Sequence, residues 1–451
     1  MKGTIISRAQ LAKNASRKLA LLSSKIKNNA LLAIAKSIKE NSGLILDANK
    51  KDAESARKIG IDEASLKRLV LDKSKIDEMA KIVKGIARLD EPVGKILSKI
   101  ELDSGLHLCK VSCPIGVIAA VFESRPDALT QIIALCLKSA NALILKGGFE
   151  AKNSNAALFR LISKAAQENH IPKGAIQIIE TREELLQILK QHDYIDLAIP
   201  RGSKRLVKYI QGHTKIPVIG HSGGVCHVFV DKYANIKQAL DICFDAKCQY
   251  PAACNAMETL LVHKGIAKDF LPLMSKKFLD AEVEIRGDYK TREIINHAKK
   301  AVERDWSTEY NGMVLSVKVV DDLSEAICHI NKYGSRHTDA IVTKNKNTAE
   351  LFMSLVDSSS VIWNASTRFA DGYRYGKGAE LGISSAKIHA RGPVGLDGLV
   401  IYKYKLAGKG HIVKGYIGKN AKKFRHRIII AADFDIRNNF QSPPDIGTAN
   451  Y

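Results

Sequence analysis

Between residues 5 and about 90, apolar positions recur three and four residues apart. Leu11, Ala15, Leu19, Leu22 and Ile26 form one stripe; Leu31, Ile34, Ala35 and Ile38 form a second; Ile76, Met79, Ala80, Val83 and Ile86 form a third. That period predicts amphipathic helices, and Pro92-Val93-Gly94 ends the run. From about residue 112 the grain changes to short continuous apolar runs separated by helical spacing. Strands are predicted at 117–122, 142–145, 176–179, 195–199 and 217–219, with helices at 126–139, 151–168, about 183–191 and 204–211 between them. A second set follows, with strands at 226–230, 259–263, 314–320, 339–343 and 361–365 and a helix near 235–248. Such alternation predicts βαβ units and parallel sheets covered on both faces, an α/β protein suited to a dinucleotide. Residues 427–436 read as one strand, whereas 438–451 are polar and contain Pro443-Pro444.

Composition narrows the class. The chain has 451 residues, 45% hydrophobic and 26% charged, enough for two or three packed domains with real cores. No apolar run reaches the roughly 18–20 residues of a membrane span, and the start builds no signal-peptide core, so a cytoplasmic protein is expected. The net charge of +23 raises nucleic acid as a partner. Residues 1–50 hold ten Lys or Arg against Glu40 and Asp47, but these alternate with the first apolar stripe and no aromatic residue interleaves them. Anionic small-molecule ligands account better for the excess.

The candidate chemistry lies in glycine turns and cysteines. No strand–GxGxxG–helix string is present. Lys146-Gly147-Gly148 follows a predicted strand and opens a helix, so a cation and free backbone N–H groups would meet at a helix N-terminus. Arg201-Gly202-Ser203 repeats that arrangement one unit later, and Ser222-Gly223-Gly224 sits between strands. Eight scattered cysteines in such a chain are expected reduced. Cys254 lies on a loop among small residues, open either to a nucleophilic or to a buried structural reading. Cys226, Cys243, Cys248 and Cys254, with His221 and His227, suggest metal as a rival, but their gaps are not zinc spacing and no metal is expected.

The ordered strings of the chain resemble those of the glutamate-5-semialdehyde dehydrogenases (γ-glutamyl phosphate reductases) of the aldehyde dehydrogenase superfamily. The resemblance runs from about residue 5 to 415. It is carried by Cys254-Asn-Ala-Met-Glu-Thr-Leu-Leu-Val-His263, Asn364-Ala-Ser-Thr-Arg-Phe369, Gly378-Ala-Glu-Leu-Gly-Ile383 and His389-Ala-Arg-Gly-Pro393. Pro114-Ile-Gly-Val-Ile118, Glu123-Ser-Arg-Pro126, Leu135-Cys-Leu-Lys138, Trp306-Ser-Thr-Glu-Tyr310 and His337-Thr-Asp-Ala-Ile-Val-Thr343 support it. It implies an aldehyde dehydrogenase-like fold. Residues 1–102 would be the N-terminal helices of a Rossmann-like cofactor domain at 113–225. Residues 226–365 would form an α/β catalytic domain, and 103–112 with 366–415 would supply the return and a β-arm joining subunits of a homo-oligomer. Residues 416–451 have no family counterpart.

The resemblance also implies the chemistry: NADPH-dependent reduction of L-glutamyl 5-phosphate to L-glutamate 5-semialdehyde, with a glutamate 5-kinase as a candidate partner. Cys254 takes the nucleophile position. Lys146, Gly147 and Gly148, with Arg201, Gly202 and Ser203, are the expected cofactor contacts. Arg125, Arg368 and Arg391 are the expected partners of the substrate's phosphate and carboxylate, interior ion pairs being the alternative. His337 and His389 are expected to be structural. Asp127 stands where family members commonly have Asn, at the expected oxyanion site. It would have to be held protonated or turned away. Asp371-Gly-Tyr373-Arg374-Tyr375-Gly376 replaces a common Asp-Gly-Gly-Glu-Phe-Gly.

Overall fold

The computed structural model describes residues 4–123, 125–220 and 223–429, and the chain divides into two compact units, 1–89 with 115–399 and 90–114 with 400–451. The larger unit opens with five helices, the first Ile5–Leu19 and the last Lys73–Arg88, as the helical period predicts. Ile5, Ala9 and Ala12 of the first helix pack on Val117, Ala119, Val121, Ile144 and Ala198. Those residues belong to a four-stranded sheet in the order Ile176–Ile179, Ala142–Lys146, Val117–Phe122, Leu197–Arg201, parallel throughout.

The second sheet of this unit has seven parallel strands. Its middle strands are Val314–Val320, Met257–His263, Cys226–Val230 and Thr338–Val342. Successive residues of these strands enter opposite cores: Val228 and Val230 join Leu260, Val262, Phe270 and Phe278, whereas Phe229 joins Leu261, Ile341 and Phe352. Both faces are buried, which is why these strands read as continuous apolar runs rather than alternating ones.

Two expectations shift. The strand read at 195–199 is Leu197–Arg201, preceded by Asp196, whose N–H donates to Val117 O at 2.9 Å and whose carboxylate accepts the Val117 N–H at 2.8 Å. The strand read at 217–219 is reduced to one bridge, Ala198 with Val218.

The smaller unit is an antiparallel sheet in the order Val400–Ala407, Leu106–Pro114, Ile96–Asp103, Arg427–Ile429. Ile96–Asp103 therefore pairs in this sheet, although the sequence reading grouped it with the N-terminal helices. Part of the stretch beyond residue 416 folds here too: Tyr416 donates to Asp103 at 2.8 Å, and Arg427–Ile429 adds the edge strand. Residues 430–451, including most of the strand read at 427–436, lie outside the described residues. No helix among the described residues is long and apolar enough to cross a membrane.

Candidate active site

Cys254 sits on a turn between the helix Ile236–Cys248 and the strand Met257–His263. Successive tight turns shape it, Ala253 N–H bonding to Tyr250 O and Ala256 N–H to Ala253 O. The segment entering the neighbouring strand supports it from beneath. Cys226 Sγ donates to the Cys254 carbonyl at 3.3 Å, and any Cβ on Gly224 would overlap that same carbonyl. Gly224 is thus required for a close backbone approach rather than for a turn.

Arginines gather at this turn. Arg368 Nε donates to Gln249 Oε1 at 2.9 Å and its Nη1 donates to Asn255 Oδ1, so one guanidinium ties the residues on both sides of Cys254. Asn255 Nδ2 in turn donates to Ala370 O at 3.1 Å. Asn364, in the left-handed region at φ 54°, exchanges two bonds with the Thr343 backbone, and Ser366 accepts the Arg368 N–H. The Asn364–Phe369 string therefore aims Arg368.

Arg201 is half-buried, and its Nη1 donates to Glu380 O at 3.3 Å. Burial lowers its pKa, as does the repulsion of Arg125, while Glu380, Asp127 and Cys254 pull the other way. Burial likewise raises the Glu380 carboxyl, opposed by Arg201, by the Gly372 N–H at 2.8 Å and by Arg125. The Cys254 thiol is pushed up to about 12, first by burial, then by Glu380 and Glu309; Arg368 and Arg201 resist. The guanidiniums of Arg368 and Arg201 favour the thiolate against that burial.

The expected site residues do not all converge. Arg368 and Arg201 act on Cys254, and Arg125 lies next to Arg201. Arg391 is held by Asp357 instead, Nη2 donating to its carbonyl at 3.1 Å and its carboxylate at 3.0 Å. His389 bonds the Gly398 carbonyl at 3.1 Å, and buried His337 bonds Thr338 Oγ1 at 2.8 Å, consistent with structural roles. Asp127 Oδ2 accepts from Arg125 Nη2 at 3.1 Å. It is thus ion-paired with Arg125. Among the described residues no three His, Cys, Asp or Glu side chains converge on a metal position.

The two glycine turns also differ from expectation. The helix after Lys146-Gly147-Gly148, Lys152–Glu168, carries no free N-terminus: Asp52 accepts the Asn153 N–H at 3.0 Å, the Ser154 N–H at 2.7 Å and Ser154 Oγ at 2.6 Å. At Arg201-Gly202-Ser203, Glu123 Oε2 accepts the Ser203 N–H at 2.8 Å, and a Cβ on Gly202 would overlap it. A carboxylate satisfies helix N–H groups at the first turn; at the second, Glu123 takes the amide of the cap residue Ser203, whose hydroxyl accepts the Leu206 N–H at 3.4 Å. What stays available at the first turn is the Lys146 ammonium beside the Gly147-Gly148 backbone, where a Gly147 side chain would overlap Asn155.

Glu123, Glu258 and Glu380 stand within strings the sequence singles out, but their chemistry shows only in the fold. Asp52 gives no local signal, since the helix it caps is some hundred residues away.

A pair of parallel sheets with a cysteine turn between helix and strand is an aldehyde dehydrogenase-like fold, and the model of the "Aldehyde dehydrogenase family" matches residues 4–292. A gamma-glutamyl phosphate reductase of Methanosarcina acetivorans is 52% identical over 426 residues, 92% of this chain and 95% of its own. That of Acetivibrio thermocellus is 52% identical over 414 residues, covering 92% and 96%. The crystal structure of the Thermotoga maritima gamma-glutamyl phosphate reductase superposes with a TM-score of 0.89 at 40% identity, over 91% of this chain and all of that one. An acetylating aldehyde dehydrogenase from Geobacillus thermoglucosidasius shares the fold at 17% identity and a TM-score of 0.63. The chain belongs to the aldehyde dehydrogenase family and, within it, to the gamma-glutamyl phosphate reductases.

Proposed function

We propose that this chain reduces L-glutamyl 5-phosphate to L-glutamate 5-semialdehyde and phosphate with NADPH, the second step from glutamate to proline. The observation that carries the reading is Cys254 on its shaped turn with Arg201 and Arg368 beside it and Arg125 next to Arg201. The Cys254 thiolate attacks the acyl carbon, the S–C bond forms, and the C–O bond to phosphate breaks with the electron pair leaving on phosphate. Arg201 and Arg125 receive the dianionic leaving group, which competes with Glu380 and Asp127 for their guanidiniums. NADPH, when bound, supplies the hydride that converts the thioester carbonyl to a thiohemiacetal. Its collapse breaks the C–S bond, frees the aldehyde and returns the thiolate to Cys254.

Lys146, Gly147 and Gly148 fit a ribose and phosphate, a cation next to backbone that a side chain would obstruct. At Gly202 and Ser203 a phosphate gains the amide only by displacing Glu123. We assign Arg201 to the substrate side rather than to the cofactor. Arg391 is assigned to the Asp357 pair. The four-stranded antiparallel sheet is the proposed subunit arm, and the exposed Tyr404, Leu406 and Ile428 on its strands supply apolar surface for pairing.

The test is NADP reduction by glutamate semialdehyde with and without phosphate. Dependence on phosphate and at least tenfold preference for NADP over NAD support the reading. Dependence on coenzyme A, or equal use of NAD, overturns it.

A further inference from the structure

We infer that the buried Lys247–Glu258 ion pair is a clamp on the neck of the nucleophile turn, and that both are positioning residues for Cys254. The inference rests on reading Cys254 as the nucleophile. Lys247 lies in the last turn of the helix Ile236–Cys248, and Glu258 is the second residue of the strand Met257–His263. Everything between them is the turn that carries Cys254. Lys247 Nζ donates to Glu258 Oε2 at 2.6 Å, with both side chains excluded from solvent. The second carboxylate oxygen accepts the Asn311 N–H at 3.1 Å, so the pair is tied to the Trp306–Tyr310 string as well.

The surroundings make this an odd place for charge. Met257, Thr259, Leu260 and Leu261 beside Glu258 are fully buried, as are Cys243 and Ala246 beside Lys247. Burial lowers the Lys247 pKa and raises that of Glu258 to about 7, each resisted by the attraction of its partner. Two apolar side chains of similar size would join helix and strand at least as stably. What the pair adds is a short, directional link that sets the distance between the two ends of an eight-residue turn. Arg368 performs the same task higher up, bridging Gln249 and Asn255. The Cys226 thiol and Gly224 hold the Cys254 carbonyl from beneath. The turn is therefore held at its neck, its flanks and its floor, and small displacements of a reacting atom carry large rate penalties.

The experiment compares the full-length protein with Lys247→Met/Glu258→Met, Glu258→Gln and Lys247→Arg. Melting temperature, kcat, both KM values and the rate of Cys254 carbamidomethylation by iodoacetamide across pH 7–10 are measured. The double variant is expected to melt within about 4 °C of the parent. Its kcat should fall about 30- to 100-fold, with KM for NADPH within about twofold. Its alkylation rate should change at least about fivefold, with a displaced pH profile. Glu258→Gln should lose about five- to tenfold in kcat, and Lys247→Arg should stay within about threefold of the parent. A double variant that melts like the parent and retains parental kcat and alkylation kinetics overturns the clamp. If the double variant does not fold, Glu258→Gln decides: an unchanged kcat and alkylation profile overturn it. Should the parent not act on glutamyl phosphate, the proposed function fails while the alkylation measurements still judge the clamp. Activity surviving in Cys254→Ser overturns the reading on which the inference rests.

Discussion

The larger unit ends its two parallel sheets in opposite ways. At the edge of the four-stranded sheet, acidic side chains meet backbone amides: Asp52 caps the helix Lys152–Glu168, and Glu123 takes the Ser203 N–H. Beside the seven-stranded sheet, the turn of Cys254 is flanked by the guanidiniums of Arg368 and Arg201, with Arg125 close to Arg201. Both are turns of α/β units. The first spends backbone amides on internal carboxylates, whereas the second is met by guanidiniums, two of which, Arg201 and Arg125, come from the strand ends of the four-stranded sheet itself. A glycine turn before a helix is thus not by itself a vacant anion site, because a carboxylate from far along the chain can fill it first.

The comparison breaks most sharply at Cys254. Cys254→Ser should lose at least about a thousandfold in kcat while NADPH titration by fluorescence stays within about threefold, since the proposed cofactor contacts lie at the other sheet. Retained turnover, or its loss in Cys248→Ser instead, would remove the nucleophile from this turn.

The acidic cap is tested by Asp52→Ala. Four donors from Asn153 and Ser154 lose their acceptor. Urea unfolding should report a loss of about 2–3 kcal/mol, with kcat nearly unchanged. A loss below about 0.5 kcal/mol would mean that water serves the helix end equally well.

Acid should act first on the other sheet. Burial holds His329 down to about 3, with His227, Lys318 and Lys332 adding repulsion. The unfolded chain binds that proton near pH 6.5, so the folded protein is favoured in full above about 6.5 and loses stability as pH falls toward 3. At pH 5 the loss is about 2 kcal/mol if the whole shift is realised. Trp306 stacks edge-on to His329 with ring centroids 5.3 Å apart, so its fluorescence reports the event. His329→Phe should flatten the decline; an unaltered acid profile would show that another group titrates.

The smallest effect is expected at Asp127. Its carboxylate is paired with Arg125, so Asp127→Asn should leave kcat/KM at neutral pH unchanged or raised by up to about threefold. A tenfold fall with cofactor binding intact would give the carboxylate a positive role.

The apolar period along the chain was enough to determine the helical character of residues 5 to about 90, the alternation of strands and helices, and their α/β class, because each element buries a periodic face whatever its neighbours are. The family strings likewise pointed to Cys254, Arg125 and Arg368 as candidates for one site from the sequence alone. Only the tertiary structure decided which side chains answer one another. It set Arg201 beside Cys254, sent Arg391 to Asp357, laid Asp52 and Glu123 on the helix termini, and joined Lys247 to Glu258. These are pairings of charges and hydrogen-bond donors across tens to hundreds of residues. Their energies depend on distance and burial in the folded chain, and neither quantity is written in local periodicity.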